Sequence, residues 1–431
     1  MTPHHGRKAS GLEADALAAI DLPGLLDTLS GLIAFDSSGG REVEVQEHMA
    51  GLLAEAGMET ELWEIDLAAL RAHPAFAVEL ERERALGLVG RAGRGRGPTL
   101  VLNGHVDVVP AGERERWSSP PFRATRRGVH VVGRGAADMK GGLACAIAAV
   151  RALRQAGIEL EGSVMIQSVV GEEDGGLGTL ATLARGHGGD AAIVLEPTRL
   201  AIAPAQAGAA NFRITVPGRA AHGALRTEGV DPLERFALIH GALRELEAER
   251  NARLGHPLFG DSELPFAICV GTVRAGIWAS TVAESLVMEG RFGLAPGEDT
   301  ARARGELAAC LEAAAAREPW LREHPPVLEW WGARFEPAEI DPGHPLVVTL
   351  ATALAEVTDR PARICGMPYG ADMHLLVREG GIPTVLFGPG DVRAAHAPDE
   401  SVPIADLEAV TRTLVLALIR SCGAGRSPKA P

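Results

Sequence analysis

Short apolar runs alternate with helix-like segments through the first half of the chain, and each run ends on a polar or acidic residue. Thr99–Leu102 runs into Asn103-Gly104-His105, and Gly128–Val132 leads to Gly133-Arg134-Gly135 and Asp138. Ser163–Val170 ends at Gly171-Glu172-Glu173, and Ala191–Leu195 ends at Glu196-Pro197. Gly141–Ala156, rich in alanine, reads as a helix that Gly157 ends. Upstream, apolar spacing over Leu22–Ala56 predicts two helices broken at Ser37-Ser38-Gly39-Gly40, while Arg91–Pro98 reads as an exposed turn. Such alternation predicts an α/β domain with a mainly parallel sheet. In sheets of that kind, ligands bind beyond the carboxyl ends of the strands.

After Ala207 the pattern changes. Asn211–Val216, Ala267–Val273 and Ser285–Phe292 read as strands, and Asp231–Glu249 and Thr300–Arg317 as helices. That block predicts a smaller α+β sandwich with helices on one face of an antiparallel sheet. Pro325-Pro326 follows, and then the first pattern returns, with a helix over Leu346–Val357 and a strand over Thr384–Phe387. The 431 residues exceed the roughly 250–300 at which one core stops growing. We therefore expect a discontinuous α/β domain, 1–206 and 323–431, with 207–322 inserted into it.

A net charge of −14 argues against nucleic acid and against anionic membrane surfaces as partners. No apolar stretch is long enough to span a bilayer, and the polar stretch Met1–Asp15 has no apolar core of a signal peptide. The five cysteines are scattered without a Cys-x-x-Cys pair, which argues against a thiolate zinc site or disulfide framework and suits the cytoplasm.

The polar residues at the strand ends are the candidates for chemistry. His105 and Asp107 are two apart in an extended segment and face one side, so Asp107 can take the second ring N–H of His105 and fix its tautomer for a metal. A buried histidine paired with a carboxylate explains them equally well. Asp138 follows glycines that let backbone approach an ion, and its two oxygens can bridge two metals; it can also cap the helix that follows. Glu172, Glu173 and Asp174 form a charge run that is usually a solvated face, yet here a buried strand precedes it. Two adjacent carboxylates at a dication can divide ligation from proton abstraction. Glu196 alone reads as a turn glutamate, and His396 alone as a loop histidine. A serine hydrolase lacks its Gly-x-Ser-x-Gly elbow. Imidazole with carboxylates suits zinc first, with cobalt or manganese as alternatives.

These motifs, Asn103–Pro110, Trp117 with Pro121-Phe122, Gly133–Gly142, Gly171–Asp174, Glu196-Pro197-Thr198 and His396, resemble the family of acetylornithine deacetylase, succinyl-diaminopimelate desuccinylase, aminoacylase and glutamate carboxypeptidase. The resemblance spans nearly the whole chain from Leu25. It implies a two-zinc catalytic domain with an inserted lid domain that dimerises. It gives His105 and Glu196 to one zinc, Glu173 and His396 to the other, and Asp138 to both, with a cis bond before Met139. Glu172 is then the general base and Asp107 the partner of His105. His222 corresponds to a lid histidine that polarises the scissile carbonyl, and an exposed turn histidine is the plainer alternative. Arg291 and the loop Tyr369-Gly370-Ala371-Asp372 correspond to the regions that hold a substrate carboxylate. Ser280-Thr281-Val282-Ala283-Glu284 stands where relatives carry Asn-Val-x-Pro-Asp, so specificity does not transfer with the motifs. The expected activity is hydrolysis of an N-acyl amino acid or related N-acyl compound. A dipeptidase or carboxypeptidase, or a non-catalytic small-molecule-binding protein on the same scaffold, are the alternatives.

Overall fold

A computed structural model describes residues 11–426; residues 1–10 of the polar N-terminal stretch lie outside the described residues. The chain forms two compact units: one runs through Ala205, Glu339–Cys365 and from Ala371 onward, and the other holds Gln206–Ala338 and Gly366–Gly370.

The first unit is built on a mixed sheet with strand order Glu59–Glu64, Leu86–Gly93, Ser163–Val169, Thr99–His105, Ala191–Val194, Thr384–Leu386, Ile202–Gln206. The three central junctions are parallel, and the outer ones are antiparallel. The central strands are buried almost end to end because helices cover them, as parallel sheets require. The helix Lys140–Gln155 is the main cover, and it packs against the C-terminal helix Ile404–Cys422. Close approach depends on glycine: a Cβ on Gly142 would lie 2.4 Å from Leu195 O. The two helices expected over Leu22–Ala56 are Leu22–Ile33 and Val43–Glu55. The expected turn at Arg91–Pro98 starts later, since Arg91 to Gly93 still pair with Ser163 to Met165.

The second unit is a four-stranded antiparallel sheet, in the order Ile268–Ala275, Ser285–Leu294, Gly208–Pro217, Val327–Phe335. Phe212, Ile214 and Val216 alternate onto one face with Leu286, Met288 and Phe292, and Leu243 and Leu307 of the helices Pro232–Arg253 and Thr300–Ala316 pack on them. The inserted block is longer than the sequence suggested. Val327–Phe335 pairs with Gly208–Pro217, so the insert runs to Ala338 and not to residue 322. Pro325-Pro326 precedes an edge strand, where missing N–H donors are tolerated; it does not mark a domain border. Among the described residues no single helix is long and apolar enough to cross a membrane.

Candidate metal centre

Three parallel neighbours deliver their carboxyl ends to one place. His105 is the last residue of Thr99–His105, Glu172 and Glu173 follow Ser163–Val169, and Glu196 follows Ala191–Val194. His396 arrives from the segment after Thr384–Leu386, and Asp138 from the turn before Lys140–Gln155. The Asp138–Met139 peptide bond is cis.

The side chains converge. His105 Nε2 lies 3.2 Å from Asp138 Oδ1 and 3.9 Å from both Glu172 Oε2 and Glu196 Oε1. His396 Nε2 lies 3.0 Å from Glu173 Oε2 and 3.5 Å from Asp138 Oδ2. Asp138 thus turns one oxygen to each histidine. The atoms of His105, Asp138 and Glu173, and those of His105, Glu172 and Glu196, form two groups whose members all lie within 4.8 Å of one another. All but His396 are well shielded from solvent; the His396 side chain is 54% exposed.

His105 departs from the expected pairing. Its Nδ1 lies 2.9 Å from the main-chain oxygen of Asp107, with the nearer carboxylate oxygen at 3.6 Å. A carbonyl oxygen can only accept, so Nδ1 carries the hydrogen and Nε2 faces the carboxylates. Asp107 instead uses its carboxylate to accept the amide of Glu173 at 3.0 Å, which ties the His105 strand end to the Glu172-Glu173 turn.

The electrostatics are those of a crowded acidic site. Burial, followed by the charge of Glu196, raises the Glu172 carboxyl well above its usual range. Burial and Asp138 do the same for Glu196, and burial and Asp138 raise Glu173. Burial works against a charged His105, but Asp107, Asp138, Glu172 and Glu196 together raise it well above an ordinary histidine. Hydrogen bonds donated to the Asp138 and Glu173 carboxylates raise His396 to about 11. Buried like charges of this density want cations among them. Glu196 Oε1 is buried without a hydrogen-bond partner, as a metal-facing oxygen would be. The donor set of imidazole and carboxylate fits divalent transition metals.

Glu400, which the sequence did not mark, holds the Asp138 turn. Its Oε1 accepts the amides of Ala137 and Asp138 at 2.9 and 3.1 Å, and its Oε2 accepts Gly135 N and Arg134 Nη1 at 2.9 and 2.8 Å. Four donors on one buried carboxylate fix the loop that presents Asp138, and Glu400 lies on the same loop as His396. A charged residue four positions after a histidine reads as surface, so only the fold reveals it. Replacing Glu400 by alanine strands a buried arginine and three amides. The expected loss is about 3–5 kcal/mol of stability, read by denaturant unfolding, with metal affinity lower by roughly 10–100-fold.

The remaining candidates divide between the two units. Ala371 and Asp372 belong to that unit but are fully buried, and Asp372 Oδ2 accepts Thr179 Oγ1 at 2.6 Å. Thr179 also receives Asn103 Nδ2, so Asp372 closes an internal network behind the His105 strand. Both positions are thus internal to the first unit, and the charge of Asp372 bears on Glu172 and Glu196. His222, Arg291, Tyr369 and Gly370 lie in the second unit. His222 is exposed, and its Nδ1 accepts Ala224 N. Arg291 is held by Pro368 O at 3.1 Å, and burial lowers its pKa. Gly370 packs on Phe335.

Residues 101–420 match the family model described as peptidase family M20/M25/M40. N-formyl-4-amino-5-aminomethyl-2-methylpyrimidine deformylase of Bacillus subtilis is 32% identical, over 75% of this chain and 79% of that protein. Succinyl-diaminopimelate desuccinylase of Gluconacetobacter diazotrophicus is 32% identical over 79% and 85%. Among solved structures, a di-peptidase of Saccharomyces cerevisiae superposes with a TM-score of 0.75 at 15% identity over 94% of this chain and 98% of its own. Human carnosine dipeptidase 1 does so with 0.72 at 15% over 95% and 99%; at that identity both speak to the fold. The chain belongs to peptidase family M20/M25/M40 and is a metal-dependent hydrolase of amide bonds.

Proposed function

We propose that this hydrolase uses two divalent cations, zinc first, to remove a small acyl group from the nitrogen of an amino acid or a related amine. The convergence of His105, Asp138, Glu172, Glu173, Glu196 and His396 carries the reading. His105 has one available nitrogen and can serve only one cation, with Glu196 beside it. His396 and Glu173 serve the other, and Asp138, with an oxygen toward each histidine, serves both. Such cations supply Lewis acidity and bring the pKa of a water down toward ~7.

Glu172 is left without a cation of its own and is the base. It takes the proton of the attacking water and passes it to the departing nitrogen. Asp107 holds the tautomer of His105 through its main-chain oxygen. His222 keeps its hydrogen on Nε2 because Nδ1 accepts an amide, which suits a donor to the carbonyl oxygen. Arg291, which donates to the carbonyl of Pro368 just before Tyr369 and Gly370, is the candidate for holding a substrate carboxylate. A homodimer through the second unit is supported by its outermost strand Ile268–Ala275 and the fully exposed Ile277 beside it. Five free cysteines support a reducing, cytoplasmic setting.

Two relatives of 32% identity, each named for removing an acyl group, favour a deacylase over a dipeptidase. A panel of N-formyl, N-acetyl and N-succinyl compounds beside dipeptides tests it. We expect kcat/KM for the best N-acyl compound to exceed that of any dipeptide by at least about tenfold, which is only 1.4 kcal/mol of discrimination, and a chelator to abolish both. Preference for dipeptides would reverse the assignment.

A further inference from the structure

The turn Gly171–Gly176 carries both Glu172 and Glu173, and an irregular segment from elsewhere in the chain covers it. Residues 75–85 contain no helix or strand, yet Arg82 within them is buried, its side chain only 2% exposed. The guanidinium reaches Asp174, the residue after the two glutamates. Arg82 Nη2 donates to Asp174 Oδ1 at 2.7 Å and Nη1 to Oδ2 at 2.9 Å. Its other edge faces Glu42, with Nη2 and Nε at 2.8 and 3.2 Å from Oε1. The backbone completes the contact: Leu80 N donates to Asp174 Oδ2 at 2.8 Å, and Glu79 N to Asp174 O at 2.9 Å.

The fit leaves no slack. Gly175 has a φ of +127°, and a Cβ there would lie 2.2 Å from Ala77 O. A Cβ on Gly171 would meet Arg82 Nη2 at 3.0 Å. From the other side, Glu173 N on Asp107 Oδ2 ties the turn to the His105 strand end. The turn is thus gripped at Glu173 from one side and at Asp174 from the other, and the two grips fix the direction in which Glu172 and Glu173 project. Building such a grip from a buried cation between two acids is costly in desolvation and weak as a device for stability alone. A planar fork matched to a carboxylate is suited to orientation.

We propose that Arg82, acting through Asp174, is a positioning residue for the Glu172-Glu173 turn, setting the base and one cation ligand of the hydrolase proposed above. It touches neither substrate nor cation. A misplacement of about 1 Å in such a group costs on the order of 10²-fold in rate, and loss of an outer partner of a ligand costs roughly 10–100-fold in metal affinity.

The test uses the full chain carrying Arg82→Gln, Arg82→Lys, Asp174→Asn or, as a control on the same segment, the exposed Glu81→Gln. Two quantities are read: titration with Zn²⁺ alone, and kcat and KM on the best compound of the acyl panel, each normalised to folded protein by its unfolding transition. We expect Arg82→Gln and Asp174→Asn to weaken one of the two Zn²⁺ affinities by at least about tenfold. We expect kcat to fall about 10²-fold with KM within a few-fold, Arg82→Lys to recover part of both, and Glu81→Gln to match the wild type. Arg82→Gln with wild-type Zn²⁺ binding and kcat within twofold, whatever its melting temperature, overturns the proposal. A wild type that binds Zn²⁺ but cleaves none of the panel refutes the proposed activity, while the Zn²⁺ titration still judges Arg82. A wild type that binds no Zn²⁺ refutes both.

Discussion

Glutamine in place of Glu172 is expected to lower kcat by about 10²- to 10⁴-fold while two cations remain bound. The substitution keeps the shape of the side chain and removes only its ability to take a proton. The turn itself is held by main-chain bonds that the change leaves alone, Gly175 N to Glu172 O and Gly176 N to Gly171 O. Burial and the charge of Glu196 raise the Glu172 carboxyl above its usual range. Steady-state kinetics with metal analysis on the same sample check the result. A variant with wild-type kcat would remove Glu172 from the role of base. Glu173→Gln, one residue along, is the contrast: it should lose a cation as well as the rate, because Glu173 meets His396 at 3.0 Å.

Asp138→Ala is expected to lose both cations and all measurable turnover. One carboxylate faces both histidines, so its removal takes a ligand from each position at once. The effect extends to stability. A ligand that binds only the folded chain stabilises it by about 4 kcal/mol when present at ~1,000 times its dissociation constant. A chelator should therefore lower the melting temperature of the wild type and leave that of Asp138→Ala unchanged. Equal chelator shifts in the two proteins would mean that Asp138 is not a shared ligand.

Much of this site was readable because its residues sit at the ends of apolar strands. Thr99–His105, Ser163–Val169, Ala191–Val194 and Thr384–Leu386 are buried on both faces, so they appear in the sequence as mainly apolar runs, with His105, Glu172, Glu173 and Glu196 at their ends and His396 ten residues beyond the last. The strand Val327–Phe335 was not readable. Its two adjacent tryptophans, Trp330 and Trp331, break the alternation, Gly332 takes a φ of +64°, and the pairing with Gly208–Pro217 shifts register between Ala210 and Phe212. Glu59–Glu64 is a solvent-edged strand whose acids mask its period. Arg82 and Glu400 were hidden for another reason. A charged side chain reads as surface, and only the tertiary fold brings Asp174 to one and the amides of residues 135–138 to the other. The partner of His105 was misjudged for want of backbone: the two-residue spacing put Asp107 on the correct side, but the main-chain oxygen came closer than the carboxylate.

The sheet order has a consequence for the making of the protein. Thr384–Leu386 lies between Ala191–Val194 and Ile202–Gln206, and His396 meets Glu173 across 223 residues of chain. At a synthesis rate of ~5–20 residues per second, that interval lasts on the order of ten to forty seconds. From Glu196 onward, a nascent chain carries five of the six converging residues beside a vacant strand slot. The inserted unit, whose four sheet strands are all made before Thr384, can fold on the ribosome during the wait. The hydrolytic centre cannot, and a chain truncated before Thr384 would expose an unpaired inner edge, so completion of the sheet and completion of the site are one event.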